Sequence, residues 1–132
     1  MTTYAAAPTR TVSLFGTGML ATVAASAATP VVAAAATVAG ISLDIGGQPI
    51  PVLGFGTLTA FFSLIGVVMA VVMARFARRP RSTFVRTTVV LTALSLVPDV
   101  LAPAAPTTKA LLMLTHLVAA AIVIPAVARK LV

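Results

Sequence analysis

His116 is the only histidine of the chain, and Asp99 is one of only two carboxylates. An imidazole and a carboxylate are the side chains that most often carry acid–base catalysis, so these two residues are the candidates for such chemistry here. Both lie in stretches that are otherwise apolar, ALLMLTHLVAAA and LTALSLVPDVLA. Ionisable groups in such stretches are costly and usually face a protein interior or a cavity. A catalytic role, a ligand-binding role and a purely structural role are all open for the pair.

Hydroxyl side chains accompany the two ionisable residues. One apolar stretch carries four polar residues at steps of four, three and four, which places them on one face of a helix: Thr88, Thr92, Ser95 and Asp99. Counting 1.5 Å per residue from the helix ends places hydroxyls of two helices level with His116, and Asp99 about two turns farther out. We expect a ligand pocket, with Asp99 at its mouth, formed by His116, Asp99, Thr92, Ser95, Thr59 and Ser63.

Several other kinds of site are excluded or disfavoured by composition. The chain has no cysteine, so it forms no disulfides or thiolate metal sites. One histidine and two widely separated aspartates are a poor set of metal ligands, and no phosphate-binding loop is present. The net charge is +7, but no nucleic-acid motif accompanies the basic residues. We therefore expect no metal, no cofactor and no nucleic acid.

The elements that must position these residues are membrane-spanning helices. Of the 132 residues, 60% are hydrophobic and only 8% are charged, against about a quarter charged in soluble domains. Four apolar segments are long enough to cross a bilayer, which needs roughly 20 residues. The sequence predicts an all-α membrane protein, a single domain over residues 1–132 that forms a four-helix bundle, with spans at about 12–40, 52–76, 83–101 and 108–128.

The positive charges predict the orientation of the bundle. All but one of them fall on the same side of the four spans: Arg10, Arg75, Arg78, Arg79, Arg81, Arg86, Arg129 and Lys130. Since positive loops stay cytoplasmic, we expect both termini inside, in a bacterial plasma membrane. Ala25-Ser26-Ala27 resembles a signal-peptide cleavage site, but the apolar run continues beyond it, which favours an uncleaved first helix. The basic loop is a topology anchor and a candidate lipid-headgroup site, formed by Arg75, Arg78, Arg79 and Arg81.

The segment ISLDIGGQPIPV, residues 41–52, interrupts the helical pattern. Apolar residues alternate with polar ones on both sides of Gly46-Gly47, a pair that favours a two-residue turn. This pattern predicts a small outer β-hairpin between the first and second helices, with an irregular loop as the alternative.

The order of these features resembles a known family. The runs IPVLGFGTLTAFFSLIGVVMA, RPRSTFVRTTVVLTALSLVPD and LMLTHLVAAAIVIPAVARKL are similar to a family of small actinobacterial four-helix membrane proteins, catalogued as a domain of unknown function. The resemblance covers nearly the whole chain from about Val12. It implies the fold and the topology, and it supplies no activity.

Three functions are compatible with the sequence. The first is binding of a lipophilic small molecule or lipid in an outward-facing pocket between kinked helices. The second is an accessory or scaffold protein that binds other membrane proteins through its small-residue helix faces; membrane lipids and a second copy of the chain are further expected partners. The third is a membrane-embedded acid–base enzyme, an isomerase or cyclase, in which a substrate or water bridges His116 and Asp99.

Overall fold

Four long helices form nearly all of the computed structural model, which describes the backbone of residues 8–132 and side chains from Val12 onward. They are α1 (Pro8–Val38), α2 (Val52–Phe76), α3 (Pro80–Leu101) and α4 (Pro106–Ala128). Each contains an apolar stretch long enough to cross a membrane. The four predicted spans are thereby confirmed. The side chain of Arg10, one of the charges used for the orientation, lies outside the described residues.

The helices are arranged in a ring in chain order. α1 packs mainly against α2 and α4, and α3 packs against α4 and, more loosely, against α2. We call the end with the α1–α2 and α3–α4 connections the hairpin end, and the opposite end, where residues 77–79 join α2 to α3, the arginine end. The loose packing of α2 against α3 leaves space on that side of the bundle.

The predicted hairpin is present at the hairpin end, as β1 (Asp44–Ile45) and β2 (Gln48–Pro49). Gly46 and Gly47 have φ values of +60° and +80°, the positive angles that a type I′ turn requires. So short a hairpin needs support from the helices. Its Gly46 N–H donates to the Pro103 carbonyl at 2.9 Å, and Thr108 Oγ1 donates to the Ser42 carbonyl at 2.7 Å.

Two apolar clusters close the ends of the bundle. At the hairpin end, side chains of the hairpin segment cover buried residues of three helices, Ala33, Phe55 and Leu112. At the arginine end a larger cluster is centred on Phe84, Val127 and Ala25, all of which are completely buried. Most of the polar side chains of the interior lie between these clusters.

Helices α1 and α2 lie very close together where Pro30 interrupts the hydrogen bonding of α1. A proline leaves the carbonyl four residues earlier without its helical partner, and here that carbonyl belongs to Ser26. A Cβ added to Gly56 of α2 would lie 2.7 Å from this Ser26 oxygen and 2.8 Å from Cγ of Pro30. The lack of a side chain at Gly56 therefore lets α2 pack directly against the freed carbonyl and the proline ring.

Candidate functional site

A cavity of about 350 Å³ lies between α2, α3 and α4. Its wall is mostly apolar and extends from Ile50 near the hairpin to Ile124 near the arginine end. Seven polar side chains interrupt this wall: Thr59, Ser63, Thr88, Thr92, Ser95, Thr115 and His116. An apolar pocket with a few convergent polar groups is the usual form of a small-molecule site, and its volume lies within the ordinary range of about 300–1,000 Å³.

The cavity opens sideways, between α2 and α3. Lining residues on these two helices are half or more exposed on the outer face of the bundle, as Leu58, Phe62 and Leu91 are. The hairpin covers the hairpin end, and Ile50, which follows β2, lines the cavity there. The sequence predicts an outward-facing pocket, but in the structure the opening faces the region that lipid chains would occupy.

His116 and Asp99 are in direct contact. Nδ1 of His116 lies 2.7 Å from Oδ2 of Asp99 and 3.0 Å from the carbonyl oxygen of Leu112, one turn earlier on α4. The Leu112 carbonyl can only accept, so Nδ1 carries a hydrogen in this contact. Its N–H direction suits the carbonyl better than the carboxylate, and Oδ2 is left without a well-aligned hydrogen bond. Nε2 of His116 is the ring nitrogen left for the cavity.

This contact differs from the predicted separation of about two turns between the two residues. The prediction counted Cα positions, but side chains on a helix lean toward its N-terminus. Since α3 and α4 are antiparallel, Asp99 leans toward the arginine end while His116 leans toward the hairpin end, and the two side chains meet.

Asp99 does not line the cavity, although the sequence predicts it at the mouth. Its side chain is only 9% exposed, whereas that of His116 is 42% exposed. Asp99 therefore lies behind His116 and holds the imidazole in one orientation. Within the part of the chain whose side chains are described, this contact is the only pairing of a carboxylate with a basic side chain.

Most hydroxyls of the cavity wall donate to their own helix. The acceptors are carbonyl oxygens three or four residues earlier, at 2.6–2.8 Å, and the donors are Thr59, Thr88, Thr92, Ser95 and Thr115. Thr59 also lies 2.9 Å from Oγ1 of Thr29, which joins α1 to α2. Ser63 is the exception: its hydroxyl forms no hydrogen bond with any described residue.

The structure brings five of the six predicted binding residues to one cavity: His116, Thr92, Ser95, Thr59 and Ser63. That they bind a ligand stays a prediction. Two further polar lining residues were not predicted. Thr88 lies on the predicted polar face of α3, so the spacing itself contains the signal. Thr115 precedes His116, and the sequence offers no comparable signal for it.

The basic residues form a separate surface at the arginine end. Arg78, Arg79 and Arg81 surround a shallow depression with Ser82, and Arg75 lies outside it at the end of α2. None of these four arginines contacts a carboxylate within the described side chains. That they bind lipid headgroups stays a prediction.

Fold and site together define the class of this molecule. It is a multi-pass helical membrane protein with a side-opening cavity and a histidine–aspartate pair in its wall.

The chain matches the Family of unknown function (DUF6069) over residues 9–132 and belongs to that family, which confirms the resemblance noted in the sequence. No curated protein and no solved structure matches it. In the described residues, no three His, Cys, Asp or Glu side chains lie close enough to share a metal ion.

Proposed function

We propose that this protein binds a lipophilic small molecule or lipid in the cavity between α2, α3 and α4. The observation that carries the proposal is a mostly apolar cavity of about 350 Å³ with its polar groups gathered around one oriented histidine. The opening between α2 and α3 lets an apolar molecule enter from the bilayer without passing through water. Apolar walls would hold the body of the ligand, and His116 with the nearby hydroxyls would hold its polar head.

A large side chain at Gly66 is expected to abolish this binding. Gly66 lines the cavity, and a Cβ there meets nothing within 4 Å, so Gly66→Phe places a ring in the open space without a clash at Cβ. Native mass spectrometry of the gently purified protein should show a discrete bound mass that is reduced at least about tenfold in Gly66→Phe, since blocking a pocket costs more than 1.4 kcal/mol of binding.

Gly16→Phe is the matched control. Gly16 also has no neighbour within 4 Å of an added Cβ, but it lies on the exposed face of α1, away from the cavity. This variant should retain the bound mass. An equal loss from both variants, or only bulk phospholipid on all three proteins, would contradict the proposal.

A second candidate function, acid–base catalysis on a lipophilic substrate, is favoured by the contact between His116 and Asp99. A carboxylate that fixes one nitrogen of a histidine while the other faces a pocket is the arrangement that a general base needs. The contact removes the need for a bridging molecule between the two side chains. Catalysis requires that the bound compound also be converted, and the two functions are separated by the paired variants described in the Discussion.

We also propose that the arginine end lies in the cytoplasm of a bacterial cell and the hairpin end on the outer side of the plasma membrane. The charge asymmetry supports this orientation, because the hairpin end carries a single basic residue, Lys109. Because the chain lacks cysteine, single cysteines report sidedness cleanly. In intact cells a membrane-impermeant maleimide should label Gln48→Cys and leave Ser82→Cys unlabelled until the cells are lysed. The reverse pattern would invert the topology.

A further inference from the structure

Most hydroxyl hydrogens of the cavity wall are already used in hydrogen bonds, and most of the hydroxyl lone pairs are not. A hydroxyl group has one hydrogen and two lone pairs. Five of the six hydroxyls in the wall donate their hydrogen to a carbonyl of their own helix, as the low polarity of a membrane interior favours. What these hydroxyls offer to a ligand is therefore their acceptor capacity.

His116 adds the strongest acceptor of the site. The Leu112 carbonyl can only accept, so Nδ1 carries a hydrogen, and in that tautomer Nε2 has a free lone pair. The one hydroxyl in the wall with an unused hydrogen is that of Ser63. A ligand head that only accepts hydrogen bonds has a single ready donor here, whereas a head that donates has several acceptors to choose from.

We propose that the cavity selects lipophilic molecules whose head group is a hydrogen-bond donor, a hydroxyl or an amine, and that Nε2 of His116 receives that hydrogen. This inference rests on the proposed binding function and specifies its ligand class. The apolar body of the ligand lies against the side chains of α2 and α4, while the head lies between His116 and the hydroxyls of α3. An ether or ketone of the same length fills the same space but leaves the acceptors of the wall without a partner.

The test is a competition among four probes with the same alkyl chain: dodecanol, dodecylamine, dodecyl methyl ether and dodecyl methyl ketone. Each is added at equal concentration to the delipidated protein in micelles, and bound masses are read by native mass spectrometry. The alcohol and amine should exceed the ether and ketone by about 3- to 10-fold, the effect of one net hydrogen bond. The ratio of amine to alcohol then reports whether the charge of Asp99 contributes.

Two variants test the assigned atoms. Asp99→Leu/His116→Phe removes Nε2 and the carboxylate together, so no buried carboxylate loses its partner, and it should reduce the preference for the alcohol and amine to what the wall hydroxyls alone provide. Ser63→Ala removes the free donor and should raise the ratio of alcohol to ketone. Equal binding of the four probes to the unmodified protein would overturn the donor preference while leaving the pocket intact. Binding of none of them would overturn both the preference and the proposed function.

Discussion

Alanine at Gly56 is expected to lower the free energy of unfolding by about 2 kcal/mol, within the usual range for overpacking a close contact. The added methyl group would lie 2.7 Å from the Ser26 carbonyl oxygen and 2.8 Å from the ring of Pro30. Backbone and proline atoms cannot rotate away, so α1 and α2 must separate at this contact. That separation also weakens the hydrogen bond between Thr29 and Thr59, one turn away. Unfolding in detergent, followed by circular dichroism, measures the loss.

Alanine substitutions at three other glycines provide a comparison for the loss of stability expected at Gly56. At Gly18 the added Cβ would lie 2.7 and 2.9 Å from the two methyl groups of the buried Val67, a side chain with little rotamer freedom in a helix, so Gly18→Ala should also be destabilising. At Gly54 the nearest atom is at an ordinary 3.6 Å, and at Gly66 nothing lies within 4 Å. Alanine there should be neutral or stabilising, since it favours helix over glycine by up to about 1 kcal/mol. Equal effects at all four positions would show that α1 and α2 do not approach as described.

The helices and the hairpin could be predicted because their determinants are local. Each span is a continuous apolar run bounded by proline, glycine or arginine, and in a membrane such a run has helix as its main option. The turn at Gly46-Gly47 follows from two adjacent residues that adopt positive φ without strain. How the hairpin packs was not predictable in the same way, because its contacts with Pro103 and Thr108 join residues more than 50 positions apart.

Most residues of the site could be predicted from the sequence, but the geometry of their side chains could not. Spacing identifies which residues share a face of a helix. It correctly places Thr92 and Ser95 on one face, and that face lines the cavity. It says nothing about side-chain direction between antiparallel helices, which is why the contact between Asp99 and His116 was missed. It also cannot show which hydroxyl hydrogens are free. That property depends on rotamers and separates Ser63 from the other hydroxyls of the wall.

Replacing His116 alone is expected to destabilise the protein more than replacing Asp99 alone. His116→Phe leaves the carboxyl group of Asp99, whose side chain is 9% exposed, without its one close polar partner. Leaving a buried polar group without its partner costs about 1–3 kcal/mol, and more when the group is charged. In Asp99→Leu, by contrast, Nδ1–H of His116 keeps the Leu112 carbonyl, so the loss should be about 1 kcal/mol. Unfolding of each variant and of the double variant completes the cycle.

The double variant Asp99→Leu/His116→Phe separates stability from function. It should recover most of the stability lost in His116→Phe. Two apolar side chains then replace the pair, and no buried polar group is left without a hydrogen-bond partner. If the pair only holds α3 to α4, the double variant will also keep every ligand and partner of the original protein. If the pair serves the cavity, the variant will be folded but will have lost its ligand preference. A compound that still binds but is no longer converted, judged by its chromatographic retention after release, would assign the pair to acid–base catalysis.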